Sequence, residues 1–190
     1  MPRRTKPDAV ALIKEDHRKV EELFDSFEKA RDEDRKQALA REICTELTIH
    51  AMIEEEILYP ACQGKIEDED VLDEAYVEHD GAKVLISEIM SNINARFFEA
   101  KVTVLSEMIK HHVKEEEQRD GMFAQAKQSD VDMEELGQQL AQRKSDLIAL
   151  YKRNGSPRPK MRTLKSMPEV ELGQPRHVRR RLRTGLRRAL

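Results

Sequence analysis

After Pro7 the apolar residues Val10, Ile13, Val20, Phe24 and Phe27, with His17 among them, recur at steps of three and four, which predicts one face of an amphipathic helix. A charged break at Asp32-Glu33-Asp34 separates it from a second helical stretch. That stretch carries Leu39, Ile43, Leu47, His50, Glu54 and Leu58 on one side, and Leu58-Tyr59-Pro60 predicts its end, because a proline disfavours helix in the residue before it. A third begins near Asp70 with Leu72, Tyr76, His79, Ile86, Met90 and Ile93. A fourth sets Phe98, Val102, Leu105, Ile109, His112 and Glu116 in line. No stretch alternates with period two, so the pattern predicts an all-α, up-down-up-down four-helix bundle.

Ser129-Asp130-Val131-Asp132 then reads as a cap leading into Met133, Leu136, Leu140, Leu147 and Leu150, with Asn154-Gly155 ending the run. This predicts an additional C-terminal helix over 130–152, packed on the outside of the bundle. Beyond it the periodicity dissolves. Residues 151–190 hold 13 Lys and Arg against 2 Asp and Glu, leaving 21 against 35 in residues 1–150, so the overall charge of −3 hides two different segments. Four of the seven prolines lie in the basic part, whose apolar residues are too scattered to offset the entropy of ordering. The expected organisation is one domain over 1–150, with its core at 8–126, followed by a flexible basic tail over 151–190.

Composition narrows the function classes. No apolar run approaches the roughly 18 residues that read as a membrane span. The start, Met1 to Pro7, is basic but leads straight into charged sequence, so the expected compartment is the cytoplasm. Cys44 and Cys62 match no paired-thiol or zinc-finger spacing and read as reduced packing residues.

The chemistry lies in the polar residues that interrupt the apolar stripes. His17 to His50 and His79 to His112 are each 33 residues apart, and His50 and His112 are each followed by Glu at i+4, Glu54 and Glu116. Residues four apart share a helix face, so each His-Glu pair projects an imidazole and a carboxylate into one volume. Taken singly, a His on an apolar face reads as a core histidine, and a Glu triplet reads as a solvated acidic turn. Six such groups in register are costly to bury unless cations compensate them. Two His per metal, with the carboxylates bridging, suit iron, manganese or zinc. His111 and Glu115 offer a competing pair, but the stripe through His111 places Lys101 in the core, and the 33-residue repeat requires His112.

Glu15-Asp16-His17, His50-Ala51-Met52-Ile53-Glu54 running to Pro60, Glu78-His79-Asp80, and His111-His112-Val113-Lys114-Glu115-Glu116-Glu117 together resemble the hemerythrin HHE cation-binding family, in its four-His bacterial branch. The resemblance covers about 8–126. It implies a non-haem di-iron centre with an oxo or hydroxo bridge, held by His17, His50, Glu54, His79, His112 and Glu116, that binds dioxygen or a related small oxidant as a sensor or store. Manganese and zinc are the lesser alternatives. Oxygen carriers of the family have a further His on the third helix, where this chain has Ala75 and Lys83, and an Asp where it has Glu117. The stretch Gln118 to Phe123 also departs from the family's ending, which places an altered lip of the site there.

Two other functions compete. The same centre suits an enzyme that turns over peroxide or nitric oxide or repairs iron–sulfur centres. The tail end, with Val178, Leu182 and Leu186 four apart among seven arginines, suits contact with nucleic acid, an anionic membrane or an acidic partner.

Overall fold

The computed structural model describes residues 8–155 and 160–164. Helix α1 (Ala9–Lys29) starts at Asp8, whose carboxylate accepts the Ala11 N–H at 3.0 Å. It stops at Ala30 in extended backbone, and Asp32 then caps α2 (Glu33–Ile53) by accepting the Arg35 N–H at 2.8 Å. Helices α4 (Asp70–Ser91) and α5 (Phe98–Glu117) complete the bundle, in which α1 packs on α2, α2 on α4, α4 on α5 and α5 on α1. A short α6 (Met122–Gln128) follows, and α7 (Met133–Asn154) lies across α1 and α2. Among the described residues no helix is long and apolar enough to cross a membrane.

The second helix does not end at Leu58-Tyr59-Pro60. It widens into a π-helical turn over Glu54–Leu58 and continues as α3 (Tyr59–Cys62). Pro60 has no N–H to return to the carbonyl of Glu56, and its ring crowds that carbonyl. The wider turn accommodates this, and the Tyr59 N–H bonds the carbonyl of Glu54, five residues back.

Two apolar clusters fill the bundle; α1, α2 and α4 pass from one to the other near their histidines, whereas α5 contributes its buried apolar residues to one alone. On α1, Val10 and Ile13 belong to one cluster and Val20 and Phe24 to the other, with His17 between. On α4, Leu72 and Ala75 lie on one side of His79, and Ala82 and Ile86 on the other. Burying each large aliphatic or aromatic side chain contributes about 1.5–3 kcal/mol. The two clusters thus clamp a polar layer that would otherwise be excluded from a core.

Helix α7 is capped by Asp132, which accepts the N–H groups of Glu134 and Glu135, and buries Leu136, Leu140, Leu147 and Tyr151. Its last residue is Asn154, three residues beyond the expected start of the tail at 151, and Gly155 (φ 76°) follows as its cap. Lys160–Leu164, also within the expected tail, lies against the bundle. The N–H groups of Arg162, Thr163 and Leu164 all donate to the buried carboxylate of Asp80, and Arg162 Nε donates to Glu55 Oε2 at 2.6 Å. Regular spacing of apolar residues cannot signal such a strap, because its anchor is backbone N–H meeting one acid. The arginine-rich stretch from Arg176 onward lies outside the described residues.

Candidate metal centre

His17, His50, Glu54, His79, His112 and Glu116 meet in one layer, and none is more than 5% exposed. His50 Nε2 lies 3.1 Å and His79 Nε2 3.4 Å from Glu54 Oε2. His17 Nε2 lies 3.3 Å from Glu116 Oε2, and His112 Nε2 3.6 Å from Glu116 Oε1. The two carboxylates therefore stand between histidines of different helices. His79 Nε2 and His112 Nε2 face each other at 3.2 Å. Their lone pairs repel unless a proton or a cation lies between them.

The outer ring nitrogens meet acids. His17 Nδ1 is 2.8 Å from Glu117, His79 Nδ1 is 3.1 Å from Glu55, and His112 Nδ1 is 2.8 Å from Glu78. His50 Nδ1 stands 4.0 Å from Asp16. An acid on the outer nitrogen fixes the proton there and turns the inner nitrogen's lone pair inward, the arrangement that supports metal-ligating histidines. Periodicity does not mark Asp16, Glu55 and Glu78 as separate participants. Their signal lies in adjacency, since each acid sits beside one of the six residues.

Tyr59, unforeseen by periodicity, completes the layer. Fully buried, its hydroxyl donates to Glu116 Oε1 at 3.1 Å and lies 3.4 Å from Glu54 Oε2 and 3.3 Å from His79 Nε2. In an unbroken α-helix, five residues turn the chain about 140° away from Glu54. In the π turn residue i+5 stands over residue i, so the proline that forces the turn also aims the tyrosine.

The electrostatics follow from this crowding. Burial opposes a charge on His50, but the charge of Glu54 and the nearby Asp16 outweigh it and push its pKa up to about 10. Glu54 is held well below the usual carboxylate range, burial being overcome by His50 and His79. Glu55, Glu78 and Glu117 are each lowered against the cost of burial by the histidine each one holds. Burial and the charges of Glu116 and Glu54 raise Tyr59 well above its ordinary value, so it remains a hydroxyl donor.

The donor set fits metal. His17 Nε2, Glu54 Oε1 and Glu116 Oε2 are buried with no hydrogen-bond partner, a costly arrangement that cations relieve. One atom each from His50, Glu54, His79 and His112 lies within 4.8 Å of the others, and so does one each from His17, Glu54 and Glu116. These two overlapping sets share Glu54. His111 is set apart: its side chain is 62% exposed, and it contacts Glu78 and Glu115 on the surface.

Beside the layer lies a cavity of about 20 Å³, walled by Val20, Leu47, Ala82, Ile86 and Ile109 around the four imidazoles. That is room for one water-sized molecule. Lys83, one of the two positions a turn away from His79, also lines it, and its ammonium contacts Glu55 at 2.6 Å and Asp80 at 2.9 Å. On the other side, the altered segment after Glu117 turns at Gly121 into α6, which stacks Phe123 on His17 at 5.9 Å between ring centroids.

Comparison with known proteins agrees with this architecture. The chain is similar in fold to a hemerythrin HHE cation binding domain-containing protein from Mycobacterium kansasii, with a TM-score of 0.63 and 23% identity, covering 78% of this chain and 94% of that one. A protein from Nostoc sp. (strain PCC 7120) described as a DNA nickase is 33% identical over 107 residues, 56% of this chain, and the match takes in 30% of that relative. The family model of the hemerythrin HHE cation binding domain matches residues 8–125, more than half of the chain, and the protein belongs to that metal-binding family.

Proposed function

We propose that His17, His50, Glu54, His79, His112 and Glu116 hold two iron ions and present them to dioxygen or a related small oxidant, as a sensor or store. The observation that carries this reading is the coincidence of unpartnered buried donor atoms with a cavity sized for one small molecule. Iron bound there supplies redox chemistry toward dioxygen, peroxide or nitric oxide, and the mixed imidazole and carboxylate set suits it. The chain's own residues do the rest. Glu117, Glu55 and Glu78 hold protons on the outer nitrogens of His17, His79 and His112, keeping each inner lone pair free. The apolar walls exclude bulk water.

The test is metal content together with optical spectra before and after exposure to air, peroxide and nitric oxide. Two iron ions per chain and an air-dependent visible band are expected. One metal or none per chain overturns the reading. The enzymatic alternative uses the same residues, and steady-state peroxide consumption that disappears in His112→Ala would establish turnover.

A second reading, contact with DNA, is favoured by the similarity to the protein described as a DNA nickase and by the excess of basic residues in 151–190. Salt-dependent retention on DNA that is unchanged by deleting 155–190 would dismiss contact through the tail, and no retention by the full chain would dismiss the reading altogether.

A further inference from the structure

His111, which the inner layer leaves out, belongs to a cluster of its own. Its Nε2 lies 3.4 Å from Glu78 Oε1 and 3.2 Å from Glu115 Oε1, so one imidazole and two carboxylates converge at the bundle surface. A zinc-type cation bound by nitrogen and oxygen at about 2.0–2.2 Å on a tetrahedron sets its ligands about 3.4 Å apart, which matches these separations. Glu78 faces both ways. Its Oε2 holds His112 Nδ1 at 2.8 Å, while its Oε1 belongs to the outer cluster.

Behind the cluster lies a recess of about 70 Å³, lined by Glu74, Glu78 and Glu115 at its acidic side and by His112 and Glu116 within. No lysine or arginine is among its lining residues. Glu116 is 3% exposed, and its Oε2 has no hydrogen-bond partner. The recess thus runs from two of the three outer donors, Glu78 and Glu115, to the inner residues His112 and Glu116.

We propose that Glu78, His111 and Glu115 form an outer site for a divalent cation such as Zn²⁺, Co²⁺ or Fe²⁺, and that the recess is the route by which the cation reaches the inner donors. The second half rests on the metal-centre reading above; the first does not. Imidazole and carboxylate together select a transition-metal ion over calcium or magnesium. The exposed rim lets the ion arrive hydrated, and the carboxylates Glu78 and Glu116 take over as its water is shed.

The test uses the full chain and compares wild type with His111→Ala and Glu115→Gln, both surface substitutions expected to fold. In equilibrium dialysis against Zn²⁺, wild type should hold one equivalent per chain more than either variant, or bind that equivalent roughly tenfold or more tightly. Equal stoichiometry and affinity would overturn the outer site. One equivalent in wild type and none in His111→Ala would keep the outer site and instead sink the inner centre. Anaerobic Co²⁺ uptake, followed by its visible absorbance, reads the route. The variants should fill the inner centre several-fold more slowly, to a final spectrum that lacks only the outer site's contribution, and equal rates would overturn the entry role.

Discussion

The hydroxyl of Tyr59 donates to Glu116 Oε1 across 3.1 Å, linking the helix that follows the π turn to the last long helix of the bundle through the centre of the polar layer. The phenol is protonated and fully buried, and it is within reach of Glu54 and His79 as well. Tyr59→Phe keeps the ring and removes the bond. Leaving a buried carboxylate oxygen without its donor costs about 1–3 kcal/mol in the metal-free protein. It should also weaken metal binding by roughly tenfold or more, as loss of an outer hydrogen bond does at other metal sites. Urea denaturation of the metal-free protein and competitive chelation of the loaded one measure the two effects. Unchanged metal affinity would mean that the hydroxyl only packs.

Asp80 anchors the strap over Lys160–Leu164. Burial works against its charge, but Lys83 and the N–H groups of Leu164 and Thr163 hold its carboxyl below the ordinary range. A depressed folded value means that the stabilisation is fully present above the unfolded value of about 3.9 and is lost only as pH falls through the lower folded value. The strap should therefore stay in place through weakly acidic conditions. Amide exchange at Arg162, Thr163 and Leu164 should be protected in the wild type at pH 5 and fast in Asp80→Asn. Equal exchange in the two would show that Asp80 does not hold the strap. Because Arg162 Nε also donates to Glu55, which holds His79, release should alter the spectrum of the loaded centre.

The bundle and its six inward residues were legible because both are periodic: apolar residues three and four apart make a face, and polar residues in register on that face must meet. The extra helix was legible through Asp132 and Gly155, whose chemistry marks its two ends. What escaped has no period. Tyr59 reaches the layer only because Pro60 forces a wider turn, and a helical wheel drawn at 100° per residue points it elsewhere. Glu55 looks like a solvated neighbour of Glu54 in sequence, yet α4 brings Lys83 and His79 onto it and leaves it 4% exposed. The strap depends on one acid accepting several N–H groups more than eighty residues away.

Gly121 sets the lip that departs from the family's ending. Its φ is ordinary at −70°, so the requirement is space: a Cβ there would lie 2.2 Å from the carbonyl oxygen of Glu115 and 2.8 Å from that of Glu116. Both obstacles are backbone and cannot swing away. Gly121→Ala should therefore cost about 1–3 kcal/mol, as overpacking typically does, and displace α6. Phe123 would then lose its stack on His17. Thermal denaturation checks the stability, and the chemical shifts of the His17 ring check the displacement. A variant as stable as the wild type would show that α6 moves freely relative to α5.

His50 decides how the centre responds to pH. Its folded value is raised from the ordinary 6.5 to about 10 because the charge of Glu54 and the nearby Asp16 outweigh the cost of burying the cation. A raised value means that, in the metal-free protein, the stabilisation is fully present below about pH 6.5 and is lost as pH rises toward 10. Metal requires the neutral imidazole, so loading must expel that proton. Metal-free wild type should lose thermal stability between pH 7 and 10, and metal affinity should keep climbing over the same interval. An ordinary histidine site would level off above about pH 6.5. Titration in buffers of different ionisation enthalpy should register proton release on loading at pH 8, and His50→Ala should release fewer protons. A flat affinity above pH 7 with no proton release would show that His50 is already neutral, and that Glu54 does not hold the charge this geometry gives it.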